Sequence, residues 1–458
     1  MILRQVLHED LGCASYVIGD EKAGVAAVVD PRLDIEVYLE LAAYLGVRIV
    51  DVFETHNHAD HVSGHGRLAA AVGATIHIHR EARAGYSHEP FEDGDRWRLG
   101  GLSIRALHTP GHRPEHTAFT LSSGDGDPWA VLSGDSLLVN EVARPDLAID
   151  APEGARQIFH SLRERLLALG GEVEVWPGHI GGSMCGGPDL DLRSVSTIGF
   201  ERRHNQLLAI DDEGAFVERM LSRLGPPPAN AAAIVEANLS SRYTSELDAP
   251  ALDAGDVEGL RQAGALIVDV RNHGAFAAGH VVGATSLPVT RPGFGTRFVA
   301  LAEPGRQIVL VGDDAEEARA AARLAAAVAV EQVTAVLAGG FAAWTDADLP
   351  TTELERVGVA ELDGLIEGLS GLQILDVREP AEWEAGHLPG SVNRPWQELG
   401  TFPVELDPAL PIATICGSGQ RAAIAASRLA GLGAERVIQV RDGGVADWLA
   451  LHREHDAT

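Results

Sequence analysis

Short apolar runs, each ending in a cluster of Gly, Pro, His or Asp, dominate the first two hundred residues. The runs at 16–18, 49–53 and 130–132 are rich in Val, Ile and aromatic side chains and too short for helices, so they predict β-strands that open into turns. His77 and His79 alternate with Ile76 and Ile78, which places both imidazoles on one strand face and argues against a role as ligands. Past residue 250 the pattern changes. Strand-like runs now alternate with longer helical stretches at 316–327 and 421–432, the signature of α/β units.

That second half repeats itself. Leu266 to Arg271 (LIVDVR) recurs as Ile374 to Arg378 (ILDVR), and Ala278-Gly279-His280 recurs as Ala385-Gly386-His387, an offset of 107 residues (376 − 269). Gly339, Gly340 and Trp344 recur as Gly443, Gly444 and Trp448, an offset of 104 (443 − 339). Two tandem copies of one domain follow. A polar stretch at 239–250 and a second at 346–352 act as linkers. With 458 residues the chain is too long for one core, and it divides into three domains at 1–245, 250–350 and 355–458.

Charge narrows the function. A formal net charge of −30 argues against a nucleic-acid partner. The N-terminus lacks a basic segment followed by an apolar one, and no apolar run is long enough to span a bilayer, so a cytoplasmic protein with no membrane partner is expected. Cys13, Cys185 and Cys416 are far apart and form no CxxC pair, which excludes a disulfide framework or a zinc ribbon.

Behind the 49–53 strand stands His56-Asn57-His58-Ala59-Asp60-His61, four ligand-type side chains in six residues, which a bound cation explains. Further along, His112 follows Thr109-Pro110-Gly111, Asp135 follows Ser133-Gly134, and His179 follows Trp176-Pro177-Gly178, each at a turn after a strand-like run. HxHxDH followed by His, Asp and His resembles the metallo-β-lactamase superfamily over residues 1–210. The resemblance implies an αββα sandwich with the metal at one edge, but no particular reaction.

In the second copy the strand at 412–415 runs into Cys416-Gly417-Ser418-Gly419-Gln420-Arg421 and then a helix. A cysteine there meets backbone N–H groups and the positive end of a helix, which lowers a thiol pKa and would stabilise a persulfide anion, and Arg421 adds a fixed positive charge. At the same place the first copy has Gly312 for the cysteine and Glu317 for the arginine. The copies look like rhodanese domains, sulfurtransferases that carry sulfur as a cysteine persulfide. The resemblance implies that Cys416 to Arg421 is the catalytic loop, that Asp376, Arg378 and His387 are structural, and that the first copy is inert, serving as spacer, dimerisation or docking surface.

The fusion, with Arg144 at Ala143-Arg144-Pro145-Asp146 after Asp135, resembles persulfide dioxygenases joined to a degenerate and an active rhodanese domain. By that resemblance one Fe(II) per chain is held by His56, His112 and Asp135, with His58, Asp60, His61 and His179 in the outer shell or a vacant second metal site. The implied partners are a low-molecular-weight thiol persulfide, O₂ and sulfite or thiosulfate, in a dimer or tetramer. Arg144 is implied as a substrate-binding residue, and Cys185, in the Gly-rich loop after His179, as a persulfide relay or a plain loop thiol. Cys13 is expected in core packing. Two other readings stand beside this one: a binuclear-zinc thioester hydrolase of the glyoxalase II type, and a sulfane-sulfur carrier without turnover.

Overall fold

In the strand Cys13–Asp20 successive side chains go to opposite layers: Tyr16 and Ile18 into one apolar core, Val17 into another. That period of two, repeated along neighbouring strands, builds the N-terminal part of the computed structural model. The structure describes every residue except 182, 184, 188, 241, 243–247, 291, 292 and 456–458. Much of the expected linker at 239–250 therefore lies outside the described residues. The chain folds as two compact units, residues 1–247 with 326–329, and residues 248–325 with 330–458.

The first unit holds two six-stranded sheets. One runs in the order β1 (Ile2–His8), β2 (Cys13–Asp20), β3 (Val25–Val29), β4 (Arg48–Phe53), β5 (Thr75–His79), β6 (Glu89–Phe91), antiparallel up to β3 and parallel from there on. The other combines β7 (Arg96–Leu99), β8 (Leu102–His108), β9 (Thr117–Ser123) and β10 (Pro128–Gly134) with β13 (Glu174–Pro177) and β14 (Ser196–Thr197). Between β10 and β13 in the chain, β11 (Leu137–Leu138) and β12 (Glu141–Val142) form a small hairpin. Tyr16, Ile18 and Phe53 from one sheet meet Ile104, Phe119 and Leu132 from the other in the central core. Outside, Tyr38 and Ala42 of the helix Glu36–Leu45 cover the first sheet. Ile158 and Phe216, from the helices Ala151–His160 and Glu213–Leu221, cover the second. This is the expected αββα sandwich.

The second unit contains the two copies. β15 (Ala251–Leu252), β16 (Leu266–Asp269), β18 (Thr285–Ser286), β19 (Ile308–Val311) and β20 (Val333–Leu337) form a parallel sheet in the order 15-20-19-16-18, and β17 (His280–Val281) pairs with β21 (Thr351–Thr352) beside it. β22 (Glu355–Gly358), β23 (Gln373–Asp376), β24 (Val392–Asn393), β25 (Ile412–Ile415) and β26 (Val437–Arg441) repeat that order strand for strand. The repeated motifs repeat their bonds too. Arg378 holds Asp376 and donates to the Gly386 carbonyl, as Arg271 holds Asp269 and donates to that of Gly279. His387 stacks on Trp383 and His280 on Phe276, each with its Nδ1 at the carbonyl of the ring it covers. These residues tie a strand end to the following helix.

Candidate metal centre and sulfur-carrying loop

The ends of β4, β10 and β13 deliver residues 56–61, Asp135 and His179 to one edge of the sandwich, and the turn between β8 and β9 brings His112 there. The facing atoms of His56, His112 and Asp135 lie within 4.8 Å of one another and are fully buried. Asp135 Oδ2 is 3.5 Å from His112 Nε2 and 3.9 Å from His56 Nε2.

The hydrogen bonds behind these side chains decide their protonation. Thr55 Oγ1 gives its proton to Asp30 Oδ2 at 2.8 Å, so it must accept from His56 Nδ1 at 2.9 Å. His112 Nδ1 donates to the Arg144 carbonyl at 2.9 Å. Both Nε2 atoms are therefore lone pairs turned toward Asp135. Burial disfavours the charged form of both rings and keeps their pKa values below the ordinary histidine range. Burial opposes the charge on Asp135, but His179 and His112 hold its carboxyl well below the usual carboxylate range. His56 Nε2, His112 Nε2 and Asp135 Oδ2 are three buried polar atoms with no hydrogen-bond partner. Two neutral imidazoles and one carboxylate with converging lone pairs fit a divalent transition metal.

Of the remaining motif residues, Asp60, His61 and His179 are hydrogen-bonded. His179 donates from Nδ1 to Asp135 Oδ1 and from Nε2 to Asp60 Oδ2, both at 2.7 Å, and these carboxylates raise its pKa well above the ordinary value against burial. His61 Nδ1 bonds Asp60 Oδ1 at 3.1 Å. His58 turns away: its Nε2 sits 3.3 Å from both Asp30 and Glu54. Against burial and the neighbouring His61, those carboxylates raise His58 to about 9, and an imidazolium has no lone pair to offer a metal.

One expectation changes at this site, that for Cys13, and Cys185 and Arg144 lie beside it. Cys13 is not apolar packing: its thiol donates to Asp60 Oδ2 at 3.2 Å and lies 3.6 Å from His61 Nδ1. Cys185 is buried, with its sulfur within 4.8 Å of the ligand atoms of Asp60 and His179, and burial pushes the thiol pKa up. The Arg144 guanidinium is engaged within the unit, by both Asp146 oxygens and the carbonyls of Gly225 and Pro226, while its own carbonyl fixes His112.

Asp30, Glu54, Thr55 and His116 escape a search for ligand motifs. His116 accepts from the Asp135 backbone N–H at 2.8 Å, and burial lowers its pKa to about 3. Its place four residues after His112 was the available signal. Asn238 donates to the carbonyls of His58 and His61 from 180 and 177 residues away, with no sequence signal at all.

In the second unit, Cys416 follows β25 and is buried, and the Gly419 N–H donates to its sulfur at 3.1 Å. Gly419 adopts φ +84° to make that turn before the helix Gln420–Gly431. Gly444 supports the loop from behind, where a Cβ would stand 2.1 Å from the Cys416 carbonyl oxygen. Arg421 faces the loop, held by Glu382. In the first copy the Glu317 carboxylate turns into the corresponding loop and accepts from the Asp313 N–H at 2.7 Å, near Gly312. An acid fills the place where the second copy keeps a thiol and an arginine.

The profile of the metallo-β-lactamase superfamily matches residues 8–179, and that of the rhodanese-like domain matches residues 253–347 and 359–451. This chain is a metallo-β-lactamase superfamily member joined to two rhodanese-like domains. Among relatives of this fusion protein, persulfide dioxygenase ETHE1 of Homo sapiens is 29% identical over 52% of the chain and 88% of its own length. A hydroxyacylglutathione hydrolase of Gloeobacter violaceus is 37% identical over 36% of the chain and 62% of its own length. A solved structure, a metallo-β-lactamase from Staphylococcus aureus, superposes with a TM-score of 0.65 at 26% identity, over 74% of this chain and 98% of that one. Among the described residues of the fusion protein, no helix is long and apolar enough to cross a membrane.

Proposed function

We propose that this protein oxidises a low-molecular-weight thiol persulfide with O₂ at one iron per chain and converts the product to thiosulfate at Cys416. The observation that carries the reading is the contrast within the cluster. His56, His112 and Asp135 present three unpartnered lone-pair atoms, whereas Asp60 and His179 satisfy each other. That contrast favours one metal over the two a thioester hydrolase of this fold would use. Similarity to persulfide dioxygenase ETHE1 and the attached rhodanese-like domains support the same choice.

His56, His112 and Asp135 would hold the metal. Iron there supplies the electron exchange with O₂ that Zn²⁺ lacks. The overall step is RSSH + O₂ + H₂O → RSH + H₂SO₃. Thr55 and the Arg144 carbonyl keep the two imidazoles in the coordinating tautomer, and His116 fixes the Asp135 backbone. Arg144 acts as a positioning residue. In the second unit the Gly419 N–H and Arg421 stabilise a persulfide anion on Cys416. Sulfite attacks the outer sulfur, the S–S bond breaks, thiosulfate leaves and the Cys416 thiolate returns.

Oxygen uptake by iron-loaded protein on adding glutathione persulfide, with metal counted in the same sample, tests the reading. Uptake scaling with iron at one per chain is expected. No uptake, with two zinc ions per chain and thioester hydrolysis, would overturn it.

A further inference from the structure

The two rhodanese-like copies meet along the last turns of the helix Gln420–Gly431. Ser286, in the edge strand β18 of the first copy, donates its backbone N–H to Ser427 Oγ at 3.0 Å, and both serines are buried. Their chain neighbours Thr285 and Arg428 line a cavity of about 80 Å³ in this seam, with Leu301 and Glu303 of the first copy and Leu399 of the second. Seven residues (428 − 421), or about 10 Å of helix, separate Arg428 from Arg421.

Two groups on the cavity wall are incompletely partnered. Thr285 is 4% exposed, and its hydroxyl makes no hydrogen bond among the described residues. Arg428 donates from Nε to the Leu399 carbonyl at 2.9 Å and from Nη1 to the Ala300 carbonyl at 3.3 Å, which leaves Nη2 uncommitted. No carboxylate among the described residues forms an ion pair with that guanidinium, because Glu303, the acid beside it, is held by Arg306 at 3.4 Å. Burial disfavours the charge on Arg428; Glu303 favours it from a distance and Arg306 opposes it. A largely buried cation without a counter-ion and a buried hydroxyl without a partner call for a ligand that completes them.

Both groups can donate, so the ligand must bring acceptor oxygens and, for Arg428, negative charge. Leu301 and Leu399 ask for something else: an inorganic oxyanion would leave these side chains facing water. A carboxylate on a short alkyl chain meets both demands, and the volume suits about five non-hydrogen atoms, the size of propionate.

We infer that this seam is a binding site for a short-chain carboxylate, held by the Arg428 guanidinium of the second copy and the Thr285 hydroxyl of the first. The site needs both copies, which gives the first copy a part in ligand binding that does not depend on a cysteine. It makes no use of the metal cluster or of Cys416.

Titration calorimetry of the full-length protein with propionate tests the site. Arg428→Gln should raise the Kd at least tenfold, the loss of a charge-assisted pair. Thr285→Val, which keeps the side-chain shape should the arginine variant fail to fold, should raise it about fivefold. Arg436→Gln, an exposed arginine on Glu355, should bind propionate as the wild type does. Sulfate should bind more weakly than propionate; equal or tighter binding overturns the assignment to a carboxylate. No heat of binding with wild-type protein, or a Kd unchanged in Thr285→Val and in folded Arg428→Gln, overturns the site itself.

Discussion

Glu382 holds both terminal nitrogens of Arg421, at 2.6 and 2.8 Å, so the guanidinium that faces the Cys416 loop is fixed before any sulfur arrives. Arg421 in turn holds the Glu382 carboxyl below the usual carboxylate range. A depressed carboxylate supports the fold above its unfolded pKa and loses that contribution as pH falls through its folded value. Glu382→Gln should lower sulfur transfer from thiosulfate to cyanide about three- to tenfold at neutral pH without unfolding the domain. The wild-type advantage over the variant should shrink below about pH 4, near the ordinary Glu pKa. Transfer rates of the two proteins across the acid range check this.

The coordinating tautomer of His56 depends on Thr55 as its acceptor. Thr55→Val keeps the shape and removes the oxygen. Metal affinity is expected to fall about 10–100-fold, as when outer partners of a metal-bound histidine are lost, while the far-ultraviolet circular dichroism is retained. Competition with a chelator measures it. Affinity equal to wild type would show that Thr55 does not set the tautomer.

His179 is paired on both nitrogens, by Asp60 and Asp135. His179→Gln should therefore keep a metal stoichiometry of one per chain, whereas His112→Ala should abolish tight binding. Metal analysis after desalting separates the two; loss of metal in both would put His179 among the ligands.

His280, in the first copy, is pushed down to about 4 by burial, against the bond to the Phe276 carbonyl. Its folded pKa lies below the unfolded value of about 6.5, so the neutral ring favours the fold above pH 6.5 and that contribution declines as pH falls toward 4. His280→Phe should weaken the pH dependence of the urea midpoint between pH 7 and 5. An identical slope in wild type and variant would locate the titration elsewhere.

The 2.1 Å approach at Gly444 leaves no room for a Cβ behind Cys416. Gly444→Ala should shift the loop, lower sulfur transfer at least tenfold and cost about 1–3 kcal/mol. Oxygen uptake by the first unit should stay at the wild-type rate. Both activities, assayed on one preparation, give the comparison.

The order His-x-His-x-Asp-His, His, Asp, His, the doubled α/β pattern and the Cys-to-Arg loop are local features, and side-chain type and spacing sufficed to read from them the fold class, the repeat and the missing nucleophile of the first copy. Which of the motif residues can accept a metal was not local. His58 stands two residues from His56, yet Asp30 and Glu54 make it an imidazolium while Thr55 leaves its neighbour a lone pair. Cys13 reads as an apolar residue in its strand and becomes a polar partner only because Asp60 folds against it. Protonation, tautomer and unpaired polar atoms depend on partners brought from distant parts of the chain, so the tertiary structure alone decided them.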